Sequence, residues 1–350
     1  MTAPRLDPAA VQREIAEFQH RVGRCAATLA QLPPVELATA AREVVTRDGK
    51  ATLYRYRSIA KPSGLPPLLI VFALVNRPTV LDLQPDRSLI RRLLAAGSDV
   101  YLLDWGYPDR GDRHLGLADY TLGMLHRAVL RIGAGHGAID LLGVCQGGTL
   151  ALLYAALEPV RIRRLVTMVT AVDFHTPENL LAKWARGIDV AQLVDTFGNV
   201  PGELLNATFR SLMPFRLTLQ KYFGLVDSAD DVHQLETFLR MERWILDSPD
   251  QAGVAFGEFV RWFFQENRLV QGGLVLAGRA VDLRCVSMPV LNIYATEDHL
   301  VPPSASRPLG GLLGTKRYEE IAFAGGHIGI YVSSRAEAIP AAIVRWLARS

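Results

Sequence analysis

One cysteine lies where an apolar stretch gives way to a helical one, in the run Gly143-Val144-Cys145-Gln146-Gly147-Gly148. This spacing is that of the G-x-S-x-G nucleophile elbow, with cysteine in place of serine. The turn is so tight that side chains at 143 and 147 would collide with the neighbouring strand and helix. The helix N-terminus that follows favours a thiolate and any oxyanion beside it. We therefore predict that Cys145 is a nucleophile in a strained backbone conformation.

A nucleophile of this kind needs a base and an acid, which follow it along the chain in the order nucleophile, acid, base. Asp298 lies in the loop after a late predicted strand, and Glu297 is its rival. His327 lies in a Gly-rich loop before the last predicted helix. We expect His327 to take the proton from Cys145, and Asp298 to orient the imidazole. For His299, beside the acid, we expect a local hydrogen bond that holds the loop.

The oxyanion hole requires two backbone N–H groups. The first is that of Gln146, the residue after the nucleophile, and the second is that of Val75 or Asn76, after an early predicted strand. The other two cysteines, Cys25 and Cys285, have no such setting, and we expect both to be buried, inert thiols.

The surrounding pattern predicts what positions these residues. An N-terminal helix over 8–32 and a hairpin around Asp48-Gly49 come first. Strands apolar on both faces then alternate with amphipathic helices, which indicates an α/β fold with a mostly parallel sheet covered on both faces. The predicted strands are 68–74, 99–104, 139–144, 165–170, 290–294 and 317–322. The predicted helices are 87–96, 117–132, 147–157 and 335–348.

The alternation breaks over 173–280, a stretch rich in aromatic and helical residues. We therefore expect a core formed by 1–172 and 281–350, of which 1–40 is an N-terminal helical segment, with 173–280 inserted as a helical cap subdomain. The alternative is that these helices pack on the flank of the sheet.

Composition excludes several classes of protein. A formal net charge of +3 over 350 residues is too small and too dispersed to indicate nucleic-acid binding. Three cysteines without C-x-x-C spacing are neither a disulfide framework nor a zinc site, and they fit a reducing compartment. The N-terminus has no apolar signal core, and the most apolar run, 68–75, is too short to span a bilayer. We expect a cytoplasmic protein without metal or cofactor.

At this point the sequence resembles a known family. The run 143–148 is similar to the lipase-like box of polyhydroxyalkanoate synthases, which have an α/β-hydrolase fold. Five further motifs share the likeness: Val75-Asn-Arg-Pro, Leu81-Asp-Leu-Gln, Tyr101-Leu-Leu-Asp-Trp-Gly, Asp298-His-Leu-Val-Pro-Pro and Gly325-Gly-His-Ile-Gly. The length resembles that of the class III catalytic subunits (PhaC type), which work with a second, PhaE-type subunit. Class IV, with a PhaR-type partner, is the second choice. The resemblance also implies a homodimer or hetero-oligomer at the surface of polyester granules.

The resemblance implies a hydroxyacyl-coenzyme A substrate, most often (R)-3-hydroxybutyryl-CoA, and a growing polyester. It also implies a second role for Asp298, in activating the incoming hydroxyl. A cysteine suits such a reaction because a thiolate attacking a thioester makes another thioester, which an alcohol can then attack. Six arginines are available for the coenzyme phosphates, although each is expected to be a solvated surface charge: Arg77, Arg91, Arg92, Arg161, Arg163 and Arg164.

Two other functions remain open from the sequence. The same residues could serve a cysteine thioesterase or a dienelactone-hydrolase-like enzyme, since the triad alone also performs hydrolysis. A binding protein on an inactive hydrolase fold, such as a granule-associated protein, is the other possibility, although an intact Cys, Asp and His set argues against it.

Overall fold

An eight-stranded sheet runs through the protein in a computed structural model, which describes residues 7–61 and 63–349. The strands of this sheet are β1 (Arg42–Asp48), β2 (Ala51–Tyr56), β3 (Leu68–Val71), β6 (Val100–Asp104), β7 (Ile139–Val144), β8 (Ile162–Met168), β11 (Val290–Ala295) and β12 (Tyr318–Phe323). Their order in the sheet is β1-β2-β6-β3-β7-β8-β11-β12; the last six are parallel to one another, whereas β2 is antiparallel to both of its neighbours, β1 and β6. Two short pairs lie outside it: β4 (Asp82–Gln84) with β5 (Arg87–Ser88), and β9 (Val275–Leu276) with β10 (Arg279–Ala280).

Both faces of the sheet are covered, and each face has its own hydrophobic core. Every residue of β3 and β7 is buried. Side chains alternate along β3, so that Leu69 and Val71 belong to one core and Leu68 and Ile70 to the other. Burial of each such side chain stabilises the fold by about 1.5–3 kcal/mol. The apolar runs in the sequence therefore predicted the central strands correctly.

Helices connect the strands and flank the sheet. The predicted N-terminal helix is α1 (Pro8–Gln31), which begins at an Asp7 N-cap; residues 1–6 of the expected N-terminal segment lie outside the described part of the chain. The other helices outside residues 173–280 are α2 (Leu89–Ala95), α3 (His126–Gly133), α4 (Gln146–Leu157), α12 (Pro303–Ser306), α13 (Leu309–Leu312), α14 (Gly329–Val332) and α15 (Ala338–Leu347). A π-helical turn, Asp119–Leu125, precedes α3, so the helix expected over 117–132 forms in two parts.

The stretch between β8 and β11 is helical, as its composition indicates. It contains α5 (Leu180–Ala185), α6 (Val190–Phe197), α7 (Gly202–Leu212), α8 (Lys221–Asp227), α9 (Val232–Leu246), α10 (Gly253–Phe259) and α11 (Arg268–Gln271), with π-helical segments at Phe215–Gln220 and Val260–Gln265. Its C-terminal end differs from the helical expectation, because β9 and β10 form a small hairpin there. Arg279 at that hairpin pairs with Glu158 at the end of α4 (2.7 Å), which ties the end of the stretch to the core.

None of the helices in the described ranges is both long and apolar enough to cross a membrane.

Candidate active site

Cys145 lies at the bend between β7 and α4, where the sequence places a nucleophile elbow. Its backbone has φ 55° and ψ −126°, a conformation that costs a non-glycine residue about 1–3 kcal/mol. Two hydrogen bonds hold it there: the Cys145 N–H donates to the Met168 carbonyl, and the Cys145 carbonyl accepts from the Gly148 N–H, both at 2.9 Å. The expectation of a strained backbone at this cysteine is therefore confirmed.

Three glycines make the bend sterically possible. A Cβ at Gly147 would come within 3.0 Å of the Val71 and Phe72 backbone, and a Cβ at Gly143 would come equally close to Gly148 on the opposite side of the turn. At Gly148 itself a Cβ would overlap the Thr170 side chain. Because two of these neighbours are backbone, they cannot rotate away. The strand and helix consequently approach closely enough to lift the sulfur of Cys145 out of the sheet.

His327 and Asp298 meet in the loops that follow β12 and β11, and His327 lines the same cavity as Cys145. The His327 Nδ1 lies 2.7 Å from the Asp298 Oδ2, and each of the two residues is only 5% exposed. The other carboxylate oxygen, Oδ1, accepts the backbone N–H groups of Leu300 and Val301 at 2.9 Å each. The rival acid Glu297 is exposed and makes no hydrogen bond with the imidazole, so Asp298 is the carboxylate that binds the ring in this structure.

The surroundings of His327 favour its charged form. Burial alone would lower the pKa of His327, but the charges of Asp298 and Cys145, and the hydrogen bond with Asp298, raise it well above its usual value. The structure therefore brings Cys145, His327 and Asp298 together, with Nδ1 engaged by the aspartate and the other ring nitrogen left for the thiol. This is the arrangement of a cysteine–histidine–aspartate triad.

Tyr331 is a residue of this site that the sequence reasoning missed. Its ring packs edge-on against His327, with centroids 6.4 Å apart, and it is 2% exposed while lining the same cavity as Cys145. Burial and the charges of Cys145 and Asp298 raise the pKa of Tyr331 well above its usual value. The available signal was its place in the short helix α14, which begins two residues after His327 and so lies beside the catalytic loop.

Gln146 joins the elbow to the loop after β3, where the second oxyanion donor is expected. The Gln146 Oε1 accepts the Leu74 N–H at 2.9 Å, and the Asn76 Oδ1 accepts from the Ser248 hydroxyl at 2.8 Å. Val75, Asn76 and Gln146 all line the cavity beside Cys145. Within the described ranges, the backbone N–H groups of these three residues donate to no protein acceptor, so they remain available to a ligand.

Cys145 lines a cavity of about 680 Å³ between the edge of the sheet and the helices of residues 173–280. Its walls are largely apolar and aromatic, and most of them come from 173–280: Phe174, Trp184, Phe209, Trp244, Phe256, Phe259 and Phe264. The volume is within the range of small-molecule sites, and apolar walls of this kind exclude water from the bound group. No cluster of His, Cys, Asp or Glu in the part of the chain that the structure describes could hold a metal ion.

Two expectations near the site are wrong. Cys25 is buried as expected, but Cys285 is exposed, because the neighbouring Leu283 and Val286 take the core positions at this turn. His299 makes no hydrogen bond within the described residues. The loop is held instead by the carboxylate of Asp298, and His299 faces the cavity.

The six arginines considered for the coenzyme phosphates do not line the cavity. Each is engaged elsewhere, mostly in ion pairs: Arg77 with Asp104, Arg91 with Asp82, Arg92 with Glu337, Arg161 with Glu158 and Arg163 with Asp140, while Arg164 donates to the Trp346 carbonyl. These arginines thus make structural contacts, and several of them are more buried than the prediction of solvated surface charges implies. The cations that do face the cavity are Arg210, Arg216, Lys221 and Arg335.

Comparison with known proteins agrees with this architecture. Residues 66–334 match the model of the alpha/beta hydrolase fold family. The chain is 50% identical over 348 residues to the poly(3-hydroxyalkanoate) polymerase subunit PhaC of Allochromatium vinosum, covering 97% of each chain, and 48% identical to that of Thiocystis violacea, again over 97% of each. Among solved structures, an alpha/beta hydrolase fold protein from Chitinophaga pinensis matches 89% of this chain and 99% of its own, with a TM-score of 0.54 at 16% identity, which supports the fold alone. This chain therefore belongs to the α/β-hydrolase fold family and, within it, to the poly(3-hydroxyalkanoate) polymerase PhaC subunits.

Proposed function

We propose that this chain polymerises (R)-3-hydroxyacyl groups, with 3-hydroxybutyryl the first candidate, taken from coenzyme A thioesters and carried on Cys145 as a covalent intermediate. The observation that carries the proposal is the strained Cys145, set against the buried His327–Asp298 pair at the base of an apolar cavity. Membership of the PhaC family, whose members are named for the polyester they make, supports a 3-hydroxyacyl substrate.

In the first half-reaction the Cys145 sulfur attacks the thioester carbonyl. The oxyanion that forms is stabilised by the Gln146 N–H together with that of Val75 or Asn76. The C–S bond to coenzyme A then breaks, and His327 donates its proton to the departing sulfur. One thioester replaces another, so the acyl group stays activated.

In the second half-reaction a hydroxyl group attacks the acyl-Cys145 thioester and forms an ester, releasing the cysteine thiolate. We assign the removal of the hydroxyl proton to His327 in preference to Asp298. Both oxygens of Asp298 are already engaged, by His327 on one side and by the two backbone N–H groups on the other, and Asp298 does not line the cavity. A carboxylate in that position orients the imidazole and stabilises its charge.

We further propose that residues 173–280 act as a cap on the core formed by 1–172 and 281–350. Aromatic side chains of this stretch form most of the cavity wall, and hydrolysis of the acyl-enzyme competes with elongation, so a dry wall favours polymer over free acid. The cap contacts the loop after β3, which also contains Val75 and Asn76, because the Trp244 Nε1 donates to the Arg77 carbonyl at 2.7 Å.

The experiment that tests the reaction incubates the purified chain with (R)-3-hydroxybutyryl-CoA. Release of coenzyme A thiol together with insoluble polyester supports the polymerase, whereas thiol release with only free hydroxyacid supports a cysteine thioesterase. The Cys145→Ala variant should fold and lose turnover. Normal turnover in that variant would exclude this mechanism, and polymer binding without turnover in the native protein would favour a granule-binding protein.

We also propose that the chain works at polyester granules with a second subunit, of PhaE type if it belongs to class III and of PhaR type if it belongs to class IV. An exposed apolar face supports contact with polymer or partner: Phe215, Leu219, Tyr222 and Phe223 are each at least 49% exposed. Co-expression with each kind of partner should raise the specific activity, and full activity of the chain alone would contradict the need for one.

A further inference from the structure

The charges around the cavity are strongly unbalanced. Over the whole chain the cationic and acidic side chains are nearly equal, with 38 Lys and Arg against 35 Asp and Glu. Around the cavity four cations face one carboxylate: Arg210, Arg216, Lys221 and Arg335 against Glu297. A cleft with one sign of charge concentrates oppositely charged ligands, so this cavity favours an anionic ligand.

Three of the four cations have no carboxylate of their own. Lys221 is paired with Glu242 at 2.7 Å. In contrast, Arg210, Arg216 and Arg335 form no ion pair and no side-chain hydrogen bond with any residue of 7–61 or 63–349. All three are exposed at the cavity, so their guanidinium groups are hydrated and can exchange water for a ligand at little cost. In having no protein partner, they differ from the six arginines that the sequence analysis considered for the coenzyme phosphates.

Two of the three lie beside the catalytic loops. Arg216 lies close enough to His299 for its charge to act on that ring: burial lowers the pKa of His299 first, and the charges of His327 and Arg216 lower it further against the opposing charge of Asp298. Arg335 follows α14, the helix that begins just after His327. These two cations therefore line the cavity close to the loops that carry Asp298 and His327.

We propose that Arg210, Arg216 and Arg335 bind the phosphate groups of the acyl-coenzyme A donor and hold the nucleotide part at the cavity mouth while the thioester reaches Cys145. The inference rests on the proposed function, since it names the residues that recognise the substrate of that reaction. Guanidinium groups suit the task because they stay charged and bind phosphate oxygens through two parallel hydrogen bonds.

The test compares two substrates that differ only in the phosphate-bearing part. One is 3-hydroxybutyryl-CoA, and the other is the 3-hydroxybutyryl thioester of N-acetylcysteamine, which has no phosphate. Arg216→Gln and Arg335→Gln should each raise KM for the coenzyme A substrate about 3- to 10-fold with little change in kcat, and the double variant about 10- to 100-fold. The KM for the truncated thioester should change less than about twofold. Added salt should weaken the binding of the coenzyme A substrate to the native protein more than its binding to the double variant.

Arg47→Gln is the matched control, because Arg47 is exposed on β1 and does not line the cavity. It should leave the KM for both substrates unchanged. An unaltered KM for the coenzyme A substrate in the double variant, or an equal loss with both substrates, would overturn the inference.

A second readout separates this inference from the proposed reaction. Calorimetric titration of free coenzyme A needs no turnover, and the double variant should bind it at least about tenfold more weakly than the native protein or Arg47→Gln. If the native protein binds coenzyme A, the double variant does not, and neither shows turnover, the proposed reaction is wrong and the phosphate site is supported. If the native protein shows turnover but all variants bind coenzyme A equally well, the phosphate site is wrong and the proposed reaction is supported.

Discussion

Replacing Asp298 with asparagine should disable the base while leaving its loop in place. Asp298 uses both of its oxygens as acceptors, whereas asparagine has only one. The backbone N–H groups of Leu300 and Val301 will hold that oxygen on their side, so the amide NH₂ will face the His327 Nδ1. A neutral imidazole must then accept at Nδ1 and carry its proton on Nε2, the nitrogen that has to receive the proton from Cys145.

The size of the effect follows from the burial of the pair. Asp298 stabilises the charged imidazole that forms when His327 takes the proton from Cys145, and removing one partner of such a buried pair costs that charged form about 3–5 kcal/mol. Because this cost adds to the activation barrier, at about 1.4 kcal/mol for each factor of ten, the rate of acyl transfer should fall by about 10²- to 10⁴-fold. The pKa of His327 should also fall from its raised position, because the charge of Asp298 and the hydrogen bond with it, which oppose the effect of burial, would be lost.

Two assays check these results. Thiol release from 3-hydroxybutyryl-CoA gives the rate, and NMR titration of ¹⁵N-labelled histidine gives the tautomer and the protonation of His327. Glu297→Gln is the matched control, since this neighbouring carboxylate is exposed and makes no hydrogen bond with the imidazole, and its rate at saturating substrate should equal that of the native protein. An Asp298→Asn variant within tenfold of the native rate would refute the reasoning, as would an unchanged His327 titration.

Three further results are expected. Gly147→Ala should lower the melting temperature by several degrees, because its Cβ would press within 3.0 Å of the Val71 and Phe72 backbone at a cost of about 1–3 kcal/mol; Gly133→Ala, whose Cβ would meet nothing within 4 Å, is the control, and equal melting temperatures would contradict the packing argument. Because the pKa of His327 is raised in the folded protein, this residue should contribute fully to stability below its unfolded pKa, and the contribution should be lost as pH rises through the folded pKa. The free energy of unfolding of the native protein should therefore exceed that of Asp298→Asn by more at pH 6 than at alkaline pH. Denaturant titrations that show no such trend would count against this. Thiol reagents should label the exposed Cys285 quickly, and should label Cys25 only on unfolding, because burial shields that thiol and raises its pKa. Mass mapping of the labelled peptides in the Cys285→Ser variant checks this. Rapid labelling of Cys25 in the folded protein would be inconsistent with its burial.

Much of the site could be predicted from the sequence because it lies at the ends of strands. Cys145 follows β7, Asp298 follows β11 and His327 follows β12, and parallel neighbours bring these ends to one edge of the sheet. Apolar runs identify such strands, and the crowded glycines of the elbow have a local cause. Chain order then separates acid from base.

The cavity wall could not be predicted in the same way. Which side of α7 or of the π-helical segment Phe215–Gln220 faces the sulfur depends on how the helical stretch packs on the sheet, and amphipathic spacing does not encode that. The cations of the cavity could not be identified for the same reason: whether an arginine such as Arg77 meets Asp104 or a ligand depends on contacts distant in sequence. The exposure of Cys285 likewise depends on Leu283 and Val286 filling the core around it.

Mass spectrometry of the protein, quenched rapidly after mixing with (R)-3-hydroxybutyryl-CoA, examines the covalent step itself. One or more hydroxybutyryl units should appear on the peptide that contains Cys145, through a bond that hydroxylamine cleaves, and Cys145→Ala should carry none. Steady polymer formation with an unmodified Cys145, or with the acyl group on another residue, would contradict the mechanism.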